Sequence, residues 1–179
     1  AGDALYDTWA GPEMRAGTEN SDWAGETEMR ALAKLERLEW AGAAKVDWAS
    51  LPAAVDPARG GGLSGARAER KRAQTEALLG VIRALGLDSE GAVFADLGCA
   101  SGNLLLPLAA LLPQCRFVGV DVRSAAVALA NARAKEAGLE SRARATTGLV
   151  EEAHDLTGGF DVALALHLCG RATDAATDA

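Results

Sequence analysis

Several features are scarce in this sequence, and each scarcity excludes a class of protein. No apolar run approaches the roughly 18 residues that a membrane-spanning helix needs, so we expect no membrane association. The three cysteines, Cys99, Cys115 and Cys169, are odd in number and irregularly spaced. They predict no disulfide framework and an intracellular, reducing compartment, either cytoplasmic or organellar. His167 lies close to Cys169, but no second Cys/His pair accompanies them, so we expect no metal site.

Positive charge is also scarce, and it is unevenly distributed. The net charge is -7; residues 1–58 carry 5 basic and 11 acidic groups, whereas residues 59–179 carry 13 and 14. We therefore expect an acidic N-terminal extension over residues 1–58, with one amphipathic helix over residues 28–40, followed by a nearly neutral domain over residues 59–179. The broad basic face that is typical of nucleic-acid-binding proteins is missing.

One basic cluster stands out against this background. It consists of Arg67, Arg70, Lys71 and Arg72. The cluster lies in a predicted helix over residues 66–85, for which Ser64 is the predicted N-cap. Contact with RNA phosphates is one interpretation of the cluster, and a solvated helix face is the preferred one. Before the helix, Pro57 and the glycines at residues 60–62 predict a linker or mobile loop.

Beyond this helix, short apolar runs alternate with helical patterns. Strands are predicted near residues 92–96, 117–121, 142–147 and 160–167, and helices over residues 103–112 and 124–137. This alternation predicts an α/β fold, a doubly wound, Rossmann-like parallel sheet. Right-handed crossovers give the strand order 3-2-1-4. The ligand site of such a sheet lies at the carboxyl ends of the strands, where the order reverses between strands 1 and 4.

The loop after the first predicted strand carries the most informative motif. Asp96 begins a D-x-G-x-A-x-G pattern whose small residues are Gly98, Ala100 and Gly102. A dinucleotide-binding loop has a further glycine where Asn103 stands, so the pattern favours S-adenosylmethionine (AdoMet), with alanine replacing the middle glycine. AdoMet carries no phosphate, and the loop must therefore fit its shape through close backbone approach. The predicted cofactor-binding residues are Asp96, Gly98, Ala100, Gly102, Asp121 and Gly148.

Each of these positions has an expected role. Asp121 ends the second strand and is suited to accept both ribose hydroxyls; its alternative role is the N-cap of the helix that begins near Ser124. Asp96 is expected to orient the loop or the methionine ammonium group. Thr147 and Gly148 follow the third strand, where an adenine edge would lie.

A second motif, H-L-C-G-R-A-T-D, spans residues 167–174, directly after the fourth strand. Methyltransferases contact the methyl acceptor from this position. His167 is a candidate general base for a hydroxyl acceptor, or else a hydrogen-bonded structural histidine. Cys169 would be a nucleophile if its pKa were lowered, although a small packed residue is the preferred interpretation. With Asp174, which ends the motif, they form the predicted catalytic set.

Four segments of the chain resemble a known family. They are W-A-S-L-P at 48–52, R-K-R-A-Q at 70–74, L-P-Q-C at 112–115 and A-L-H-L-C-G-R-A-T-D at 165–174. Over about residues 46–174, the chain is similar to the methyltransferase-like C-terminal domain of glutathione S-transferase C-terminal domain-containing proteins. The last segment also resembles one in tRNA 2'-O-methyltransferases. The resemblance implies a class I AdoMet-dependent methyltransferase fold, with Gly98, Gly102 and Asp121 at the cofactor and residues 167–174 at the acceptor.

A complete sheet of that class continues beyond the fourth strand, so we expect the domain to be truncated in this sequence. The free edge of the fourth strand would then favour a protein partner that covers it. Two functions stay open. One is an AdoMet-dependent methyltransferase whose acceptor is RNA or another molecule. The other is a non-catalytic methyltransferase-fold scaffold or binding module within a larger assembly.

Overall fold

The structure, a computed structural model, describes residues 42–166. The predicted amphipathic helix at residues 28–40 lies outside this range, as do the predicted catalytic residues His167, Cys169 and Asp174. Within the described range, none of the helices combines the length and the apolar character that a membrane crossing needs.

Four helices and four strands alternate along the described residues. The helices are α1 (Gly65–Leu85), α2 (Leu105–Leu111), α3 (Ser124–Glu136) and α4 (Ala153–Thr157). The strands are β1 (Val93–Leu97), β2 (Arg116–Asp121), β3 (Ala143–Thr147) and β4 (Val162–Leu164). Single 3-10 turns occur at Ala53–Val55 and Val150–Glu152. Helix α4 and both 3-10 turns are not predicted from the sequence, because elements this short carry too few residues to show a period.

The strands form one parallel sheet in the order β3-β2-β1-β4, which confirms the predicted topology. In this register Asp96 of β1 lies between Gly119 of β2 and Leu164 of β4, and Asp121 at the end of β2 lies beside Thr147. The order reverses between β1 and β4. The two predicted cofactor acids therefore lie at the carboxyl edge of the two central strands, and Asp96 is on the strand that borders the switch point.

The two central strands, β1 and β2, are buried on both faces over most of their length because helices cover both sides of the sheet. On one face the rings of Phe94 and Phe117 stack with centroids 5.0 Å apart, in the cluster formed with α1, α2 and α3. On the other face Leu97 and Val120 pack against Val150 and the first residue of α4. The central strands are thus held rigidly from above and below, and with them the residues at their ends.

Helix α1 ends as predicted, but it begins without the predicted cap. Gly86 adopts a φ of 65°, and the N–H of Leu87 donates to the carbonyl of Ile82, which is the hydrogen bond of a glycine-terminated helix. Ser64 does precede the helix, yet its side chain forms no capping hydrogen bond. The prediction of Ser64 as the start of α1 is confirmed in position, and the prediction of its hydroxyl as a cap is wrong.

The predicted linker around residues 57–62 is instead a packed turn. Asp56 is fully buried and accepts hydrogen bonds from Arg59 and from Arg72 of α1, each with a closest distance of 2.7 Å. A Cβ on Gly60 would lie 2.5 Å from the carbonyl oxygen of Ala53, so only glycine fits there. Gly60 and Gly61 serve close packing of the backbone, a role that composition alone does not distinguish from flexibility.

The described part of the N-terminal extension contacts α1. The N–H of Ala44 donates to the carbonyl of Glu76, and the indole N–H of Trp48 donates to the Glu76 carboxylate at 2.9 Å. The Arg72 guanidinium lies 5.5 Å from the centre of the Trp48 ring. The predicted division at residue 58 stays a prediction.

Candidate cofactor site

A cleft of about 620 Å³ opens at the carboxyl ends of β1 and β2. Its volume falls within the range of roughly 300–1,000 Å³ that is typical of small-molecule sites. The residues that line it from the sheet side are Asp96, Gly98, Cys99, Ala100, Asn103, Leu104, Asp121, Val122, Arg123, Val150 and Leu166. Helix α1 supplies the opposite side with Arg67, Arg70, Lys71 and Gln74, and Leu63 precedes it.

The floor of the cleft is the loop of the D-x-G-x-A-x-G motif, whose three small residues all have positive φ. The angles are 78° at Gly98, 49° at Ala100 and 78° at Gly102. The N–H groups of Gly98 and Cys99 both donate to the carbonyl of Val120, at 2.8 and 3.1 Å. These bonds draw the loop over the end of β2, and the tight path explains the small residues at alternate positions.

Among the acids that line the described cleft, Asp96 is the one whose pKa departs most from its ordinary value. Its side chain is buried, and its Oδ2 atom has no hydrogen-bond partner. Burial raises the pKa of Asp96 to about 7, and the nearby charge of Lys71 and the N–H of Leu105 oppose this rise. The carboxyl group is therefore partly protonated at neutral pH, and a cation at Oδ2 would stabilise its ionised form.

Asp121 is held by four hydrogen bonds. Its Oδ2 accepts the N–H of Ala100 at 2.8 Å and Nη2 of Arg123 at 3.2 Å. Its Oδ1 accepts the backbone N–H and Nε of Arg123, at 2.9 and 3.0 Å. Burial acts to raise the pKa of Asp121, but the hydrogen bonds from Arg123 and Ala100 outweigh it and lower the pKa. Helix α3 receives no side-chain cap, so Asp121 is not its N-cap in this structure.

Arg133 of α3 supports the loop from below. It is buried and donates to the carbonyl of Ala54 and to Oδ1 of Asn103, each at 2.8 Å, and also to the carbonyl of Ser101. One side chain thus joins the motif loop, α3 and the turn before α1. This role of Arg133 is not predicted from the sequence, because the spacing of an arginine in a helix does not show that its side chain is buried.

Two of the predicted cofactor residues, Gly102 and Gly148, do not line the cleft. Gly102 lies under the loop, where a Cβ would meet Leu106 at 3.1 Å. Gly148 donates its N–H to the carbonyl of Asp121 at 3.2 Å, and a Cβ there would lie 2.2 Å from Leu156. Val150, which is not among the predicted cofactor residues, lines the cleft beyond β3. A cofactor-binding role for each of these residues stays a prediction.

The basic cluster on α1 divides into two groups. Arg72 turns away from the cleft and pairs with Asp56 and Glu69. Arg67, Arg70 and Lys71 line the cleft. Burial lowers the pKa of Lys71, and the charge of Asp96 opposes this shift. The helical period explains why Arg67, Arg70 and Lys71 line the cleft and Arg72 does not, because residues at i, i+3 and i+4 share a face of a helix whereas adjacent residues need not.

Two other chemistries receive no support from the described residues. Cys99 and Cys115 are free and buried, and burial raises the pKa of both thiols, so neither is an activated nucleophile. Over residues 42–166 no group of three or more Cys, His, Asp or Glu side chains is placed to hold a metal ion.

Comparison with known proteins identifies the class of this fold. Residues 94–178 match the family described as "Methyltransferase domain", and that match agrees with the sheet order. The chain carries a methyltransferase-like domain. The predicted fold class, that of class I methyltransferases, is confirmed, and AdoMet is the cofactor that goes with it. No contact between AdoMet and a particular side chain follows from this match.

The glutathione S-transferase C-terminal domain-containing protein of Xenopus laevis is 34% identical over 134 residues, which are 74% of this chain and 21% of the relative. The Mus musculus protein is 33% identical over 129 residues, 72% of this chain and 19% of the relative. The chain thus spans about a fifth of the length of these relatives. A SAM-dependent methyltransferase from Geobacter sulfurreducens, solved in complex with S-adenosyl-L-homocysteine (AdoHcy), is 21% identical over 54% of this chain and 42% of its own, with a TM-score of 0.43. The two relatives confirm the predicted resemblance to glutathione S-transferase C-terminal domain-containing proteins.

Proposed function

We propose that the cleft between α1 and the ends of β1 and β2 binds AdoMet, and that the chain is the cofactor-binding part of a methyltransferase. The observation that carries this proposal is the Oδ2 atom of Asp96. It is a buried carboxylate oxygen without a partner, in a residue that lines the cleft. Such an atom is costly to leave unpaired, and a cationic ligand group would offset that cost.

The residues of the cleft fit the parts of AdoMet. Asp96 would accept hydrogen bonds from the methionine ammonium group, and Lys71 would lie near the methionine carboxylate. Asp121 would accept the ribose hydroxyls, since it is an ionised acid at the end of β2. The loop of Gly98 and Ala100 would allow the ligand to approach its backbone closely. When bound, AdoMet supplies an electrophilic methyl group on a sulfonium.

Asp121 needs one rearrangement before it can serve a ribose. Its oxygens already accept four hydrogen bonds, and two of them come from the side chain of Arg123. That side chain is 64% exposed, so it can turn into solvent at small cost. The bonds from the backbone N–H groups of Ala100 and Arg123 would remain and keep the carboxylate oriented.

The acceptor side of the reaction rests on prediction. Leu166, the last described residue, lines the cleft, and the predicted motif at residues 167–174 follows it directly. We propose that His167 faces the methyl acceptor as a general base, with Cys169 and Asp174 in the same segment. In that role His167 would remove a proton from the acceptor atom while the cleft holds both reactants in position.

Calorimetric titration of the full chain with AdoHcy tests the proposal. We expect saturable binding with one site per chain, weakened in Asp96→Asn. Asp155→Asn is the matched control, since Asp155 is exposed and lies outside the cleft lining. No binding to a folded wild-type chain, or equal binding by Asp96→Asn, would refute the assignment. Transfer of a labelled methyl group that survives His167→Ala would separately exclude His167 as the base.

A further inference from the structure

Helix α1 presents a cationic face to the cleft that the cofactor does not account for. Arg67, Arg70 and Lys71 lie at positions i, i+3 and i+4 of α1 and all line the cleft. Among residues 42–166 neither Arg67 nor Arg70 forms an ion pair, whereas the adjacent Arg72 is engaged by Asp56 and Glu69. We call Arg67, Arg70 and Lys71 the basic face.

The cleft carries an excess of positive charge, although the chain as a whole is negatively charged. The chain has a net charge of -7. Within the described cleft, Asp121 is neutralised by Arg123, and Asp96 has a pKa of about 7 and is only partly ionised near neutral pH. In the cofactor-free cleft the three cations of the basic face thus outnumber the unpaired negative charge. A cleft with such an excess concentrates anions from solution.

AdoMet is a poor explanation for that excess. It has one carboxylate and two positive groups, the ammonium and the sulfonium, so its net charge is positive. A single cation near the methionine carboxylate suffices, and Lys71 is the residue of the basic face whose charge interacts with that of Asp96. Each further cation repels the cofactor. Arg67 and Arg70 therefore point to a second, anionic occupant of the cleft.

We propose that Arg67 and Arg70 bind a phosphate group of the methyl acceptor. The proposal rests on the proposed function, because it places the acceptor in the same cleft as the cofactor. Two arginines one helical turn apart have side chains separated by about 5–6 Å at Cβ, so both can converge on one group. Phosphate suits them better than carboxylate, since it carries up to two charges and offers three oxygens to two planar guanidinium groups.

Phosphate of this kind has two sources, a small phosphorylated molecule such as a nucleotide and the backbone of a nucleic acid. Both present the same chemistry to the basic face. They differ in the dependence of affinity on salt, because a polymer that contacts several cations releases more counterions than a single phosphate group does.

The experiment is a calorimetric titration of the full chain saturated with AdoHcy. The probes are inorganic pyrophosphate, AMP and a short oligouridylate, each at low and at moderate salt. The variants are Arg67→Gln and Arg70→Gln, with Arg83→Gln as the matched control. Arg83 is an exposed arginine in the last turn of the same helix and does not line the cleft. Circular dichroism checks that α1 is retained in all three.

We expect Arg67→Gln and Arg70→Gln each to weaken pyrophosphate binding about tenfold, the cost of one charge-assisted contact, while Arg83→Gln leaves it unchanged. AdoHcy binding should persist in both cleft variants. AMP binding with a shallow salt dependence would indicate a small phosphorylated acceptor. Tighter oligouridylate binding with a steep salt dependence would indicate a nucleic acid.

Two results would overturn the inference. One is that none of the phosphate probes binds the AdoHcy-loaded chain, and the other is that Arg83→Gln reduces binding as much as the cleft variants do. Both leave the proposed function intact, because AdoHcy binding is measured first. Failure of AdoHcy to bind the wild-type chain would instead refute the proposed function, and the inference would fall with it.

Discussion

The sheet side of the cleft, formed by residues 96–102 and Asp121, is anionic and largely buried, whereas the α1 side, formed by the basic face, is cationic and mostly exposed. The sheet side is fixed by backbone hydrogen bonds from the loop to β2 and by Arg133 beneath it. On the α1 side, long side chains project from a helix, and Arg67 and Arg70 are exposed.

This difference suggests a division of labour. A site that binds the same cofactor in every reaction cycle gains affinity from side chains that are already fixed, because less conformational entropy is lost on binding. A site for a ligand that must enter and leave in each cycle tolerates mobile cations, which attract anions over a distance. The buried sheet side therefore suits the cofactor, and the exposed basic face suits the acceptor.

Asp121→Ala should have the largest effect on the sheet side. Losing the ribose acceptor should weaken AdoHcy binding by about 2–3 kcal/mol, or roughly 30- to 150-fold, in calorimetry. The loop also loses the bond from the N–H of Ala100, so the melting temperature must be measured alongside. Asp155→Ala is the control. Unchanged affinity for AdoHcy would mean that Asp121 only orders the loop.

Asp96 should make cofactor binding depend on pH. Because the ionised carboxylate is the form that pairs with an ammonium group, and its pKa is about 7, AdoHcy affinity should rise about tenfold between pH 6 and pH 8. Asp96→Asn should bind AdoHcy more weakly at pH 8 and should lose this dependence. A wild-type affinity that stays flat across this range would contradict the proposed ammonium contact.

The same carboxyl group should affect stability with the opposite sign. Its pKa rises from 3.8 to about 7 on folding, so the stability that it contributes is complete below pH 3.8 and is lost as the pH rises through 7. At pH 8 the free protein therefore carries a buried charge, and Asp96→Asn should raise the melting temperature. At pH 5 the difference between the two proteins should shrink. A lower melting temperature for Asp96→Asn at pH 8 would show that Lys71 or another group compensates the charge.

Much of this architecture follows from the sequence. The apolar runs predict all four strands to within a few residues. Acids at the carboxyl ends of the first two strands must lie at the same edge of a parallel sheet. The contacts of Asp121 with Arg123 and of Asp56 with Arg72 escaped prediction for different reasons. The exposed side chain of Arg123 can either extend into solvent or pair with the neighbouring Asp121, and the sequence does not decide between the two. Asp56 and Arg72 are far apart in sequence, and no sequence pattern indicates that they pair.

Arg123→Gln should have a smaller effect, and one of opposite sign. Its side chain competes for the oxygens that the ribose would use, and exposed ion pairs of this kind are weak. Removing it should strengthen AdoHcy binding about two- to fivefold at low salt, and high salt should abolish the gain. Arg116→Gln, at the far end of β2, is the control. Weaker binding in Arg123→Gln would show that the guanidinium contacts the cofactor directly.

Ala100→Gly should have the smallest effect and should act on stability. Ala100 has a φ of 49°, where a Cβ costs about 1–2 kcal/mol, while glycine adds about 0.4–1 kcal/mol of unfolded-state entropy. The difference predicts a gain of about 0.5–1 kcal/mol in the free energy of unfolding. Ala128→Gly, at an exposed position of α3, should instead lose about 1 kcal/mol. If denaturant titration shows both variants destabilised alike, the loop gains enough from the Ala100 methyl group to offset its backbone strain, and the alanine at the motif's middle position is a packing residue.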